Sequence, residues 1–329
     1  MNGVARIAWA LAAQTGLCAA ARWQYRRCVP VLTYHQVRPD GPWMHGERHS
    51  NVVSTSEFER QIEYLAARYQ VLTGPEFLAY LDGTPASRSS ALITFDDGYQ
   101  DNFTAAFPVL RRYGVTAVFF VSTQFVGARE NRLWLHRADA MLATADGSAL
   151  EEWAERHKLG ARRTGWRAAL KRLGRGARDD ALGDLRQFVD GDANVPEHLA
   201  PMTWDEIRAM ADAGMTIGSH TASHQILAAA SAREVGEELD ASRADLEARL
   251  GRPCLLFSYP NGTPADFGFS DLEAARSAGY ACAFTQINGV VNARSPRYAL
   301  PRIPIPAPAS QSVFLGRVSG LHATLAPRA

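Results

Sequence analysis

The stretch ALITFDDGYQDN, Ala91 to Asn102, decides how the rest of the chain is read. Ala91 to Phe95 is a continuous apolar run, the pattern of a strand buried on both faces of a parallel sheet. It ends in two adjacent carboxylates, Asp96 and Asp97, followed by Gly98. In parallel α/β folds chemistry gathers at the carboxyl ends of the strands. Three more apolar runs end in the same way: LTYH at His35, IGSH at His220, and LLFSYPNG at Tyr259, Pro260, Asn261 and Gly262.

Working outward, helix and strand signals alternate. Val29 to Tyr34 predicts a strand, and a polar loop follows to Val53. Ser54-x-x-Glu57 reads as a capping box for a helix with Phe58, Ile62 and Leu65 on one face. Tyr69 to Leu72 predicts a strand, and Pro75 suits the first turn of a helix. Val115 to Val121 is again continuously apolar. Thr203-x-x-Glu206 caps a helix that Gly214 ends, and Met215 to Gly218 runs as a strand into His220. A long helix is expected over Arg233 to Leu250, then strands at Leu255 to Tyr259 and Tyr280 to Phe284. Residues from about 125 to 200 break this rhythm with helical patterns and no clear strand. They read as an insertion grown from one loop and placed at the mouth of the barrel. The pattern predicts a βα barrel, with a doubly wound sheet as the rival. The expected organisation is an N-terminal helical extension over 1–27, a barrel over 28–310 and a tail over 311–329.

Composition narrows the function classes. The 329 residues are 47% hydrophobic and 21% charged, and 35 Lys plus Arg balance 34 Asp plus Glu. A chain of net charge +1 lacks the basic excess of a nucleic-acid binder. Four cysteines without a CxxC pair make neither a disulfide scaffold nor a zinc knuckle. Ile7 to Ala21 is too short and too interrupted to span a membrane. It reads as an amphipathic or core-packing helix, with a signal segment or a membrane-surface helix as alternatives. Cytoplasmic residence, or a peripheral place at the inner face of the membrane, is the expectation.

His220 and His224, at i and i+4, can meet on one side of a helical turn, and a nearby carboxylate completes a His₂Asp set. Such a set leaves a position open for water, as catalytic zinc sites do. In the plainer reading the aspartates cap a helix and the histidines are surface residues.

These motifs resemble the polysaccharide deacetylase family, the NodB-homology carbohydrate esterases. The matching pieces are TYH at Thr33 to His35, TFDDGYQDN at Thr94 to Asn102, SHTASH at Ser219 to His224 and SYPNG at Ser258 to Gly262. LPRIPI, Leu300 to Ile305, resembles the late segment of one branch. The resemblance implies a distorted (β/α)₇ barrel, here with a helical insertion. It implies Asp96 as catalytic base, and Asp97, His220 and His224 as ligands of one divalent ion. It also places Tyr259 beside a backbone donor for the oxyanion, and Pro260, Asn261, Gly262 and Arg302 in the substrate pocket. Zinc is the default for such ligands; cobalt, nickel and iron also suit them.

The chain departs from the family pattern in two places. Many members carry in the third motif an arginine that braces the catalytic aspartate; Ser258 stands here. Many also end in a leucine-x-x-histidine segment that supplies the general acid, whereas the only histidine after His224 is His322. His35, at a strand end near the expected metal pocket, is the candidate substitute acid; in the plainer reading it is a supporting or core-edge histidine. The implied reaction is removal of an N-acetyl group from an amino sugar in a polysaccharide, an oligosaccharide or a lipid-linked glycan. The alternatives are a metallohydrolase of another non-peptide C–N or ester bond, and a silent glycan-binding barrel. Trp134, Phe267 and Tyr99 are candidates to stack on a sugar. The basic face of Arg163, Arg167 and Lys171 is a candidate for phosphate or peripheral membrane contact. No nucleic-acid or protein partner is expected.

Overall fold

The computed structural model describes residues 15–41, 51–85, 89–127, 132–145, 147–189, 195–305 and 310–321. Its framework is a parallel sheet that closes on itself. β1 (Val31–Tyr34) pairs with β5 (Ser90–Phe95), followed round by β6 (Val118–Val121) and β7 (Thr216–Ser219). β8 (Leu256–Ser258), β9 (Cys282–Asn288) and β10 (Leu300–Pro304) complete the circuit back to β1. β4 (Gln70–Val71) adds to the first residues of β5, and β2 (Gln36–Arg38) pairs with β3 (Val52–Ser54) outside the barrel. This is the distorted parallel barrel expected from the sequence.

Strand periodicity explains why these runs are apolar throughout. On β5, Ala91, Ile93 and Phe95 face the helical layer, where Phe58, Ile62 and Leu65 of α2 (Thr55–Arg68) join them. Leu92 instead belongs to an interior cluster with Val118, Phe120, Leu256, Phe284 and Leu300. Phe77 and Tyr80 of α3 (Gly74–Leu81) close that interior cluster. Thr94 and Asp96 continue the Leu92 face toward the carboxyl end, so the interior changes from apolar to polar along one strand.

Capping chemistry fixes several helix starts. Thr73 with Glu76, Thr203 with Glu206 and Ser231 with Glu234 form reciprocal capping boxes, and Ser54 accepts from the Glu57 amide. They open α3, α9 (Trp204–Asp212), α10 (Ala232–Leu250) and α2. Between Asn102 and Arg112 a π-helical turn runs into α4 (Phe107–Arg112).

The insertion carries α5 (Trp134–Thr144), α6 (Gly147–Arg156), α7 (Arg163–Leu170) and α8 (Arg175–Arg186). Its apolar residues form a separate core around Leu150, Trp153, Trp166, Leu170 and Leu185. α11 (Phe269–Ser277) lies between β8 and β9.

Three segments differ from the sequence reading. β2 and β3 lie in what reads as loop. β10 carries Pro301 and Pro304, residues that argue against a central strand. The expected tail over 311–329 begins with α12 (Gln311–Val318), whose Val313, Phe314 and Val318 are buried against the barrel layer. Phe314 meets Tyr64 edge-on, and Tyr69 Oη donates to Val318 O. α1 (Leu17–Gln24) packs beside α12, and Arg22 donates to Tyr64 Oη. The start of the expected N-terminal helix, residues 7–14, lies outside the described residues, as does His322.

A fully buried phenylalanine replaced by alanine costs about 3–5 kcal/mol. Phe314→Ala should therefore lower the unfolding free energy of the whole chain by that amount in urea titration. An unchanged midpoint would mean that α12 is an appendage.

Candidate active site

β5 delivers two carboxylates to the barrel mouth, and the backbone then separates them. Asp97 has φ 76° and Gly98 has φ 76°. A Cβ on Gly98 would meet Val121 Cγ1 at 2.9 Å, so glycine is required there on two counts. The turn leaves the Asp96 side chain in the barrel interior and presents Asp97 to the loop after β7.

Asp96 is 2% exposed and Arg302 0% exposed. Arg302 Nη1 donates to Asp96 Oδ1 at 2.8 Å and Nη2 to Oδ2 at 2.6 Å, a bidentate pair. The rest of the guanidinium is held by Thr285 O, Thr94 Oγ1 and Ser258 Oγ, with the Phe120 ring 5.7 Å from its centre. Gln286 Nε2 adds a third donor to Asp96 Oδ2 at 3.2 Å. Burial alone would raise the Asp96 carboxyl, but the Arg302 charge outweighs it and holds the group below the usual range. The bracing arginine expected in the third motif thus comes from β10, and Ser258 supplies a hydroxyl that receives it. Arg302 is consequently no part of the pocket lining, contrary to the sequence expectation.

Asp97 gathers the two histidines. Its Oδ1 lies 3.4 Å from His220 Nε2 and 3.2 Å from His224 Nε2. One donor atom from each of the three residues lies within 4.8 Å of the others. His220 Nδ1 bonds Ser258 O at 2.7 Å, which fixes it as the protonated nitrogen and leaves the Nε2 lone pair facing Asp97. Carboxylate oxygen and unprotonated Nε2 are both acceptors, so their convergence fits a cation between them. The residues present therefore suit a divalent metal ion, bound through one oxygen and two nitrogens.

A cleft of about 790 Å³ opens over this centre. Its barrel side carries His35, Asp96, Asp97, His220, His224, Asn261 and Gln286. α5 and α7 of the insertion form the facing wall, with Leu135, His136, Asp139, Ala140, Ala143, Thr144, Arg167 and Lys171. Asn102 Nδ2 holds the His35 backbone carbonyl, so that histidine is set at the rim by the helix after β5.

Tyr259 does not reach the cleft: its hydroxyl donates to Tyr298 O, its N–H to Phe284 O, and its ring stacks on Phe267. Pro260 has no N–H, and Gly262 N–H turns back to Pro260 O. Among the described residues Asn261 N–H has no protein acceptor, which makes it the candidate oxyanion donor of this loop. Gly262 itself has φ 64°, and a Cβ there would lie 2.9 Å from Gln286 N.

The structure also redistributes the candidate sugar-stacking and basic residues. Trp134 is buried beneath Arg178, and Phe267 packs on Tyr259. Tyr99 lines the cleft with its hydroxyl 2.7 Å from His136 Nε2. The sequence reading passed over His136, which lies inside the irregular insertion with no spacing to the other motifs. Burial pushes His136 down to about 4, so it meets a ligand as a neutral imidazole. Arg163 donates to Leu142 O, Arg167 to Asp139, and Lys171 to Asn261 Oδ1. Each member of the basic face thus has a protein partner, while Arg163 and Arg167 stay exposed.

The closed barrel and its Asp–His–His centre define a metal-dependent hydrolase. A family model described as "Polysaccharide deacetylase" matches residues 83–170 and 184–283, more than half of the chain. The chain belongs to the polysaccharide deacetylase family, whose hydrolases act on non-peptide C–N bonds. It is 24% identical over 289 residues to YxkH of Bacillus subtilis, covering 87% of this chain and 74% of that protein. A 107-residue match, 33% identical, links it to the poly-β-1,6-N-acetyl-D-glucosamine N-deacetylase of Staphylococcus epidermidis, covering 30% of this chain and 37% of that one. In fold it is similar to the deacetylase PplD of Streptococcus pyogenes, with TM-score 0.62 and 20% identity over 89% of this chain and 99% of that chain. IcaB of Ammonifex degensii gives TM-score 0.59 at 20% identity, over 89% and 97% of the two chains.

This set corrects the expected localisation. The similar proteins are named deacetylases of polysaccharide, poly-β-1,6-N-acetyl-D-glucosamine among them, and polymers of that class lie outside the cytoplasm, so the expectation of cytoplasmic residence is not upheld. The sequence argument rested on an alanine-diluted apolar stretch, a composition that cannot separate a packing helix from an export segment. No helix among the described residues is long and apolar enough to cross a membrane.

Removing one partner of a buried ion pair strands the other charge and costs about 3–5 kcal/mol. Arg302→Leu in metal-stripped protein should lose stability of that order in urea unfolding near neutral pH. A loss below about 1 kcal/mol, the scale of an exposed pair, would show that Asp96 does not depend on Arg302.

Proposed function

We propose that the protein removes N-acetyl groups from amino sugars of an oligomeric or polymeric glycan laid along the cleft. The observation that carries the chemistry is the division of labour at the end of β5. Asp97 joins His220 and His224, while Asp96 is held away from them by Arg302.

Asp97, His220 and His224 would hold the ion, and zinc suits their two nitrogens and one oxygen. Such an ion supplies Lewis acidity toward the acetyl carbonyl and toward water. Asp96, kept ionised and aimed by Arg302 and Gln286, takes a proton from the attacking water as general base. Asn261 N–H donates to the carbonyl oxygen as negative charge develops there. The C–N bond then breaks, acetate leaves, and the sugar nitrogen needs a proton. His35 lines the same cleft as Asp96 and is the proposed donor. Neutral His136 orients sugar hydroxyls from the opposite wall.

The shape of the cleft supports the choice of substrate. Leu135 to Thr144, along one face of α5, spans about 13 Å at 1.5 Å per residue, more than one sugar ring. Neither that wall nor the engaged basic face favours a lipid-linked substrate over a free glycan.

Asp96→Asn should keep the metal and the fold yet lower acetate release by about 10²-fold or more, because an amide cannot act as base. Asp97→Asn should lose metal as well, read by elemental analysis. The reverse pattern of metal loss would exchange the two roles.

Substrate length gives the second test. kcat/KM should rise at least tenfold from N-acetylglucosamine to its short oligomers. Ala143→Trp, which fills the wall, should remove that gain and spare the monosaccharide. Equal rates at every length would reject the extended site.

A further inference from the structure

Two metal-binding histidines differ in what holds them. His220 is oriented by Ser258 O through its Nδ1, the usual device for a ligating imidazole. His224 Nδ1 is buried without a protein partner among the described residues. Its placement therefore rests on the backbone of the loop from Thr221 to Ile226. That loop is strained: Thr221 has φ 61° and His224 φ 54°, left-handed values for non-glycine residues. Such geometry persists only where surrounding contacts over-determine it.

Those contacts come from the insertion on one side and from the barrel elements on the other. Trp134 Nε1, at the start of α5, donates to the His224 carbonyl at 3.3 Å. The Arg178 guanidinium of α8 lies 4.6 Å over the Trp134 ring, and its Nη1 donates to Gln225 Oε1 at 2.8 Å. Arg178 is 2% exposed and Gln225 0% exposed, so neither bond competes with bulk water. On the other side of the loop, Glu238 of α10 accepts from Ser223 N at 2.7 Å and Ser223 Oγ at 2.6 Å. Arg175 of α8 reaches the same carboxylate at 3.4 Å. Inside the loop, Gln225 N–H closes on Thr221 Oγ1.

We propose that Arg178 and Trp134 are positioning residues that clamp the loop bearing His224, so that the insertion sets the affinity of the metal centre. The inference rests on the metal-dependent reading above and assigns a second task to a segment that also walls the cleft. A buried cation stacked on an indole and bonded to the residue after the ligand restrains that ligand from outside the loop. Loss of either group frees His224 to leave its left-handed conformation, and the third ligand is then no longer held ready.

The experiment is zinc titration of the full chain against a chromogenic chelator, which reads affinity without turnover. Loss of an outer support of a metal site costs about 10–100-fold in affinity. Arg178→Met should raise the zinc Kd within that range. Arg178→Lys, which keeps a charge but loses the planar fork, should fall between it and the parent protein. Trp134→Phe keeps the stacked ring and removes the N–H, and should raise Kd severalfold; it decides the matter if Arg178→Met fails to fold. Arg172→Gln, at an exposed position just beyond α7, should bind zinc as the parent does. Folded Arg178 and Trp134 variants with parental zinc affinity, whatever their melting temperatures, would reduce both residues to insertion packing and overturn the proposal. A parent protein that binds no zinc at one per chain would instead bring down the metal reading itself.

Discussion

A carboxylate inside a barrel is tolerated only with a fixed counter-charge, and the Asp96–Arg302 pair meets that demand. Polar groups of three strands are arranged round it. Thr94 below Asp96 on β5, Thr285 and Gln286 on β9, and Ser258 on β8 all bond to one member of the pair or the other. Five donors in one plane suit Arg302 to this position, since lysine could not span two carboxylate oxygens and three further acceptors. The pair also explains why adjacent aspartates do not compete for one ion. Asp96 is committed inward, and the left-handed turn at Asp97 and Gly98 points the next carboxylate elsewhere.

From that pair the rest of the site follows by geometry. Ser258 serves twice: its hydroxyl supports Arg302, and its carbonyl orients His220. β8 therefore couples the base to the metal ligands through one small residue, where the family resemblance leads one to expect the arginine itself. Moving the cation from β8 to β10 preserves the electrostatics because both strands face the same interior. The insertion then adds what the barrel lacks: a second wall for the cleft and support for the loop of His224.

Much of the fold was legible because continuous apolar runs and capping boxes are local signals. ALITF, Ser54-x-x-Glu57 and Thr203-x-x-Glu206 each declare a strand or a helix start within a few residues. The Asp–His–His set was legible too, since strand ends converge in a parallel barrel whatever their separation in sequence. β10 was hidden by Pro301 and Pro304, which disguise a strand, and α12 by lying beyond the last recognisable motif. The partner of Asp96 was hidden for another reason: Arg302 was read as a pocket residue, and only register between β5, β1 and β10 brings it inward. His136 and Trp134 lie in a segment with no strand period to orient them, so their roles emerge only from tertiary packing. Localisation failed because the informative signal was composition alone.

The most direct measurement of the central claim is acetate release from an N-acetylglucosamine oligomer by metal-stripped enzyme as zinc is returned in steps, with bound metal counted in each sample. A single Asp97–His220–His224 centre predicts activity that rises in proportion to bound metal and saturates at one ion per chain. Acetate release indifferent to metal, saturation at two ions, or a fully loaded protein that releases none would contradict it.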